Sequence, residues 1–269
     1  MSNPAITLTD VYKLFPAPDR GRGDVFVALA GVNLHVARGE FLTLLGPSGC
    51  GKSTVLNLVA GFSPATRGAV HCDGRPVNGL NRALGYITQD DNLLPWRTLL
   101  ENVELALEFR GVPREERRRR CTALIEQVGL QGFEDHYPHQ LSGGMRKRAA
   151  IVRTLAYDPA IVLMDEPFGP LDAQTRLILQ DQLLRLWEGS GRTTVFVTHD
   201  IVEAIALSDR VAILSGSPGR LKAVHDVPIP RPRDVFHIHA QGGFAALYDK
   251  IWNDLRDELA GGLPRARAQ

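Results

Sequence analysis

The stretch Gly46-Pro47-Ser48-Gly49-Cys50-Gly51-Lys52-Ser53-Thr54 constrains this chain more than any other. It fits the pattern G-x-x-x-x-G-K-[ST], and it lies between an apolar run, Phe41-Leu42-Thr43-Leu44-Leu45, and the helical sequence Ser53–Ala60. A short unbroken apolar run is what a strand buried on both faces of a parallel sheet requires. The glycines let successive backbone N–H groups turn inward, and the helix behind them adds the positive end of its dipole. Such a loop is expected to hold the phosphates of a nucleotide. Lys52 would neutralise β- and γ-phosphate oxygens, the Ser53 hydroxyl would ligate Mg²⁺, and Thr54 would lie near the α-phosphate. The loop alone does not choose among a kinase, a GTPase and an ATPase.

Composition narrows the class. The 269 residues carry 31 Lys+Arg against 30 Asp+Glu, a balance that argues against a dedicated nucleic-acid binder. No apolar run reaches the roughly 18–20 residues that cross a bilayer, and Met1–Ala5 lacks the basic start of a signal peptide. Three unclustered cysteines, Cys50, Cys72 and Cys121, fit reduced thiols rather than a disulfide framework or a zinc site. The expectation is a soluble, intracellular α/β protein.

Along the chain, Ile6–Val11 and Val32–Val36 read as short alternating strands separated by the turn-rich Pro16–Gly23. From about residue 98 to 158 no buried-strand run occurs, and the segment reads as a helical insertion. One helix there places Arg114 and Arg117–Arg120 outside and Leu124, Ile125 and Val128 inside. Two core strands follow, Ala160–Met164 and Thr194–Thr198. The tail carries a short strand after Gly219, the proline-rich Pro228–Arg233, and an amphipathic helix in which Phe244, Leu247, Tyr248, Ile251, Trp252 and Leu255 recur at helical spacing.

A second motif selects the class. Leu141-Ser142-Gly143-Gly144 opens a basic helix expected over Met145–Tyr157. Serine and two glycines at a helix N-terminus form another anion site, and two such sites in one chain invite a second copy of it. This segment resembles the signature of ATP-binding cassette (ABC) ATPases, and further motifs of that family follow in its order. The resemblance spans about residues 5–225 as a nucleotide-binding domain, with the signature subdomain at about 98–158 and residues 226–269 as a tail. It implies a P-loop NTPase core, a mostly parallel sheet flanked by helices, with an N-terminal antiparallel β subdomain and an α-helical insertion.

The same resemblance implies roles. Gly46–Thr54 bind ATP. Asp165, closing Ile161–Asp165, holds Mg²⁺ largely through its water shell, and Glu166 is the general base toward the attacking water. Gln89 senses Mg²⁺ and the water and faces the membrane partner. Asp172 lies in the loop that crosses between subunits, and His199 contacts the γ-phosphate and holds Glu166 and the water in line. Ser142, Gly143 and Gly144 meet the nucleotide of a partner copy. The adenine stacks on Phe15, with Phe26, Tyr12 or plain core packing as alternatives. Met145 and Lys147 stand where glutamines are common, and Pro170 where alanine is usual. Cys50 lies against the phosphates, so alkylation of an accessible sulfur is expected to exclude the nucleotide.

Leu93-Leu94-Pro95-Trp96, Glu166-Pro167-Phe168-Gly169, Ser217-Pro218-Gly219-Arg220 and Pro230-Arg231-Pro232-Arg233 are together similar to the nitrate/sulfonate/taurine importer group. This implies a cytoplasmic subunit, peripheral on the inner face of the membrane, that dimerises with ATP. It would dock separate permease subunits served by a solute-binding protein. Trp96 is expected either at the rim of the groove for the permease or buried under the helical insertion. The competing class is a soluble ABC-type ATPase of DNA repair or translation, which usually carries coiled coils or two cassettes per chain.

Overall fold

The chain opens with two long strands, β1 (Ile6–Pro16) and β2 (Val25–Val36), paired antiparallel from Ile6–Val36 to Pro16–Val25. In this computed structural model residues 4–17 and 24–261 are described. Most of the expected turn-rich loop, residues 18–23, lies outside the described residues. The second strand begins well before the expected Val32, because pairing with Lys13–Pro16 extends a segment that lacks clean alternation of its own.

The remaining elements are β3 (Phe41–Leu45), α1 (Lys52–Ala60), β4 (Arg67–Cys72), β5 (Arg75–Pro76), β6 (Gly85–Ile87), α2 (Leu99–Phe109), α3 (Arg114–Gln127), α4 (Gly143–Leu155), β7 (Ile161–Asp165), α5 (Ala173–Trp187), β8 (Thr193–Thr198), α6 (Ile201–Leu207), β9 (Arg210–Leu214), β10 (Leu221–Asp226) and α7 (Phe244–Gly261). They form an antiparallel sheet, β2-β1-β4-β5, and a six-stranded sheet, β10-β9-β3-β8-β7-β6, parallel except for β10. All five residues of β3 are buried between β8 and β9, as an unbroken apolar strand demands. The C-terminal ends of β3, β7 and β8 lie side by side, with Leu45 opposite Thr198 and Asp165 opposite Val197. Ligands of open α/β sheets bind at such carboxyl edges.

Strand alternation divides the core. Leu42 and Leu44 join Leu163, Val195 and Val197 in packing against α1 and the antiparallel sheet. Phe41, Leu45, Met164 and Phe196 face the other way, against α5, α6 and α7. Each large side chain buried here contributes roughly 1.5–3 kcal/mol. Phe244, Leu247, Ile251 and Leu255 of α7 belong to this second cluster, while Trp252 is exposed.

The helical insertion has a core of its own, built from Leu99, Val103 and Leu107 of α2, Cys121 and Ile125 of α3, and Ala149 and Val152 of α4. A reciprocal cap between Thr98 and Glu101 starts α2, worth about 1 kcal/mol. Arg117 departs from the expected outer face. It shares the i, i+4, i+8 stripe of Cys121 and Ile125, so its stem turns inward and its guanidinium reaches Glu104 (3.3 Å) and the Val112 carbonyl (3.3 Å). The α4 helix starts two residues before Met145, because Ser142 caps it, and it ends at Leu155.

Candidate active site

Between β3 and α1 the loop closes on its own lysine. Lys52 is only 5% exposed, and its Nζ donates to the carbonyls of Gly46 (2.8 Å) and Pro47 (2.9 Å). Sterics require two of the glycines. A Cβ on Gly46 would lie 2.8 Å from both Cys50 Sγ and the Leu214 carbonyl oxygen, and Gly51 has φ +101° with Leu29 Cδ2 only 2.7 Å from a Cβ. No side chain caps α1, which leaves its first-turn N–H donors for an anion. The cradle therefore suits phosphate groups.

The structure corrects the expectation for Cys50. Its residue is 1% exposed, its sulfur is turned under the loop toward Gly46 and Lys52, and burial pushes the thiol up. A reagent from solvent meets the loop backbone before it meets this sulfur. Gly219 supports the loop from beneath, a role the sequence reading did not assign. Its N–H donates to the Ala28 carbonyl (2.9 Å), Ala30 N–H donates back to its carbonyl (3.0 Å), and a Cβ there would lie 2.1 Å from the Cys50 carbonyl oxygen.

Two carboxylates leave the end of β7 in different directions. The Ser53 hydroxyl donates to Asp165 Oδ1 at 3.0 Å. Burial pushes the Asp165 carboxyl up, opposed by that hydrogen bond. Glu166 has φ +41°, a left-handed conformation that costs a non-glycine residue about 1–2 kcal/mol. It is held there by Glu166 N–H donating to the Val197 carbonyl (3.0 Å) and Gly169 N–H donating to the Glu166 carbonyl (3.2 Å). The turn carries its carboxylate to His199, with Oε2 3.1 Å from Nδ1. Gln89 approaches the same place: a Cβ on Gly169 would lie 3.4 Å from Gln89 Nε2 and 4.0 Å from Glu166 Oε2. A carboxylate beside an imidazole and a carboxamide can accept a proton from water and orient that water. Ser53, Asp165 and Gln89 offer oxygen donors suited to Mg²⁺, which takes its remaining ligands from phosphates and water.

Ser142–Gly144 and Asp172 form a second group. Ser142 Oγ accepts from Met145 N–H (3.3 Å) at the start of α4, and Asp172 Oδ1 accepts from Thr175 N–H (2.9 Å) at the start of α5. The Thr175 bonds hold the Asp172 carboxyl below its usual range. The two helix starts meet where a Cβ on Gly144 would come within 2.7 Å of Thr175 Cγ2. Among the described residues no hydrogen bond or ion pair joins this group to the phosphate loop.

Phe15 and Phe26 are cross-strand partners near the connected end of the first hairpin, one pair before Pro16–Val25, and both are exposed. Lys13 Nζ lies over the Phe15 ring at 4.9 Å, whereas the Tyr12 ring is covered by the Arg67 guanidinium. Trp96 is 71% exposed, which excludes burial under the helical insertion in this chain. Its loop is held by Asn102, a buried residue absent from the sequence reading, which accepts from Leu94 N–H (2.7 Å) and donates to the Arg97 and Thr98 carbonyls. Lys147 and Arg153 of α4, also unassigned from sequence, grip the Gln89 loop by its carbonyls. Neither a one-residue substitution in a motif nor a mid-helix arginine signals such a contact on its own.

Residues 29–169 match the sequence profile of the ABC transporter family. An uncharacterised ABC transporter ATP-binding protein of Methanocaldococcus jannaschii is 50% identical over 88% of this chain and 87% of its own length. The taurine import ATP-binding protein of Yersinia pestis is 46% identical over 72% of this chain and 76% of its own. The nitrate import ATP-binding protein of Synechococcus elongatus is 40% identical over 94% of this chain, which spans 38% of that larger protein. A bacterial ABC transporter cassette solved as a dimer superposes with a TM-score of 0.72 at 36% identity, covering 82% of this chain and 98% of that one. The chain belongs to the ABC transporter family, as one of its ATP-binding, ATP-hydrolysing cassettes.

Proposed function

We propose that two copies of this chain close head to tail around two ATP molecules, and that hydrolysis powers import of a small anion through separate permease subunits. The observation that carries the dimer is the separation of the two anion sites. Lys52 and the α1 N-terminus form one, Ser142–Gly144 at the start of α4 form the other, and no hydrogen bond or ion pair joins them among the described residues. A triphosphate held by Lys52 of one protomer would meet Ser142 and Gly144 of its partner. A related cassette solved as a dimer with ADP and phosphate supports this reading.

In the proposed reaction Glu166 accepts a proton from a water as that water's oxygen bonds to the γ-phosphorus. The bond from the γ-phosphorus to the β–γ bridging oxygen breaks, releasing ADP and phosphate. His199 and Gln89 hold Glu166 and the water in line, and Lys52 with the loop amides takes up charge on the phosphate oxygens. Mg²⁺ held by Ser53, Asp165 and Gln89 would supply charge neutralisation between the β- and γ-phosphates. Phe15 is the proposed adenine platform and Asp172 the residue that crosses toward the partner.

No helix among the described residues is long and apolar enough to cross a membrane, and in the proposed assembly the permease subunits supply the membrane path. The exposed Trp96, in the loop before α2, is proposed to line the rim of the groove that meets the permease from the inner face. The names of the taurine and nitrate relatives support a nitrate-, sulfonate- or taurine-like solute. Reconstitution in vesicles with a candidate permease and solute-binding protein from the same genome tests the reading. ATPase activity should rise with one of nitrate, taurine or an alkanesulfonate. Turnover indifferent to the permease but stimulated by DNA or ribosomes would overturn it in favour of a soluble ATPase.

A further inference from the structure

We propose that Lys147 is a positioning residue for Gln89, holding the peptide that aims the carboxamide at the Glu166 loop and tying it to the helix that carries Ser142–Gly144. The inference rests on the reading that Gln89 serves hydrolysis.

The last paired residue of β6 is Ile87, opposite Met164. The chain then leaves the sheet, and the carbonyls of Thr88 and Gln89 have no strand partner. Both turn to one ammonium: Lys147 Nζ donates to Thr88 O at 2.7 Å and to Gln89 O at 2.9 Å. Two consecutive carbonyls fixed on a single point define the peptide planes on both sides of the Gln89 Cα, and with them the direction of its side chain. That side chain then arrives beside Gly169 and Glu166.

The other ties of this loop hold different atoms. The Thr88 hydroxyl donates to the Asp90 carbonyl (2.8 Å) and accepts from Asn92 Nδ2 (2.6 Å), Arg153 donates to the Asp91 (2.8 Å) and Asn92 (2.6 Å) carbonyls, and Arg146 pairs with Asp91 (3.0 Å). Among the described residues Lys147 alone grips the carbonyl of Gln89 itself. Lys147 is 3% exposed, and a buried ammonium is tolerated where hydrogen bonds and neighbouring charge satisfy it. The loop supplies both, with the carboxylates of Asp90 and Asp91 attracting it and Arg153 opposing.

Lys147 lies five residues after Ser142, about 7.5 Å along the helix at 1.5 Å per residue. The start of α4 and the Gln89 backbone are therefore linked through one helix and one side chain. A partner's triphosphate that engages Ser142 would act on a rigid body that also holds Gln89, so the proposed dimer contact and the proposed water-orienting group would move together.

The test is a double-mutant cycle on the full chain with MgATP as substrate, using Lys147→Met, Gln89→Ala and their combination. Lys147→Met keeps the buried stem and removes the donors. Its kcat should fall at least about tenfold, with KM for ATP within twofold of wild type because the phosphate loop is untouched. The double variant should be no slower than Gln89→Ala within about twofold. Lys147→Gln, which keeps an amide NH2 donor on a stem one atom shorter, should recover part of the rate and stay at least about threefold below wild type. Hydrogen exchange should rise over residues 88–92 in Lys147→Met and not over 46–54. Should Lys147→Met fail to fold, the same cycle and exchange measurement with Lys147→Gln decide, since the shorter donor can reach only one of the two carbonyls. Wild-type kcat and exchange in a folded variant, or a multiplicative loss in the double variant, would overturn the role of Lys147. Wild-type kcat in Gln89→Ala would instead overturn the reading on which it rests.

Discussion

His199 Nδ1 stands 3.1 Å from Glu166 Oε2, and the two residues follow the ends of adjacent parallel strands, β8 and β7. The pair exists because Glu166 adopts a positive φ; in an extended conformation the strand would simply continue past Asp165. If Glu166 is the base, Glu166→Gln keeps size and hydrogen bonding but not basicity. The variant should bind MgATP and turn it over at least about a hundredfold more slowly, the low end of what a general base contributes. Near-normal turnover would remove Glu166 from that role.

Lys52→Ala withdraws the positive charge from the phosphate cradle and leaves the Gly46 and Pro47 carbonyls without their donor. Hydrolysis should drop below detection, and affinity for a fluorescent ATP analogue should weaken. A purified Lys52→Ala protein that hydrolyses ATP at the wild-type rate would contradict the phosphate-loop assignment.

Gly219→Ala tests the support beneath that loop. The new Cβ would lie 2.1 Å from the Cys50 carbonyl and 3.3 Å from the Ala28 carbonyl, so backbone has to move. A loss of about 1–3 kcal/mol in urea unfolding is expected, together with weaker nucleotide binding. Gly242→Ala, where nothing lies within 4 Å, is the control and should stay within about 0.5 kcal/mol of wild type. Equal stabilities for the two variants would show that the loop accommodates the methyl group.

The contrast between these sites shows what a sequence can carry. Gly46–Thr54 was legible as a local pattern after a buried strand, whereas Asp165, Glu166 and His199 were picked out only through the family resemblance; the fold places Ser53 on Asp165 and His199 beside Glu166. The parallel core was legible from local patterns too, from Phe41–Leu45 and its fellow apolar runs. Gly219 under Cys50, Lys147 on Gln89 and Arg117 on Glu104 were not, because each depends on segments brought together only by the fold: 169, 58 and 13 residues apart. The burial of Cys50 was hidden in a related way. A small residue between two glycines looks exposed in sequence, but the loop's curvature turns its sulfur inward, against Gly46.

Lys147 also predicts a pH dependence. Burial is the main cause that brings its ammonium from the ordinary 10.5 down to about 8. Between those values the unfolded chain binds more protons than the folded one, so this group makes stability rise with pH, and its cost is fully present below about pH 8. Wild type should therefore gain on Lys147→Gln between pH 8 and 10.5, by up to ~3 kcal/mol at 1.36 kcal/mol per unit. Urea unfolding of both proteins at pH 7.5, 9 and 10 measures it. Taking the difference cancels the buried cysteines Cys72 and Cys121, whose raised values act in the opposite direction. A difference that does not change with pH would mean that Lys147 titrates as it does in the unfolded chain.

Ser142 serves two ends that can be separated. Its hydroxyl caps α4 through Met145 N–H, and in the proposed dimer it also meets the partner's triphosphate. Ser142→Ala should lose both, costing about 1 kcal/mol of stability along with the contact. Ser142→Asp should keep the cap, since aspartate is as good an N-cap as serine and favours the helix dipole. It would, however, place a carboxylate against a polyanion. In a Glu166→Gln background, which is expected to hold ATP unhydrolysed, light scattering at high protein concentration should show an ATP-dependent doubling of mass. Adding Ser142→Asp should abolish that doubling while leaving the melting temperature unchanged. Monomers under every condition, with the permease also present, would reject the head-to-tail arrangement. Doubling that survives Ser142→Asp would mean that the copies associate without placing the start of α4 on the nucleotide.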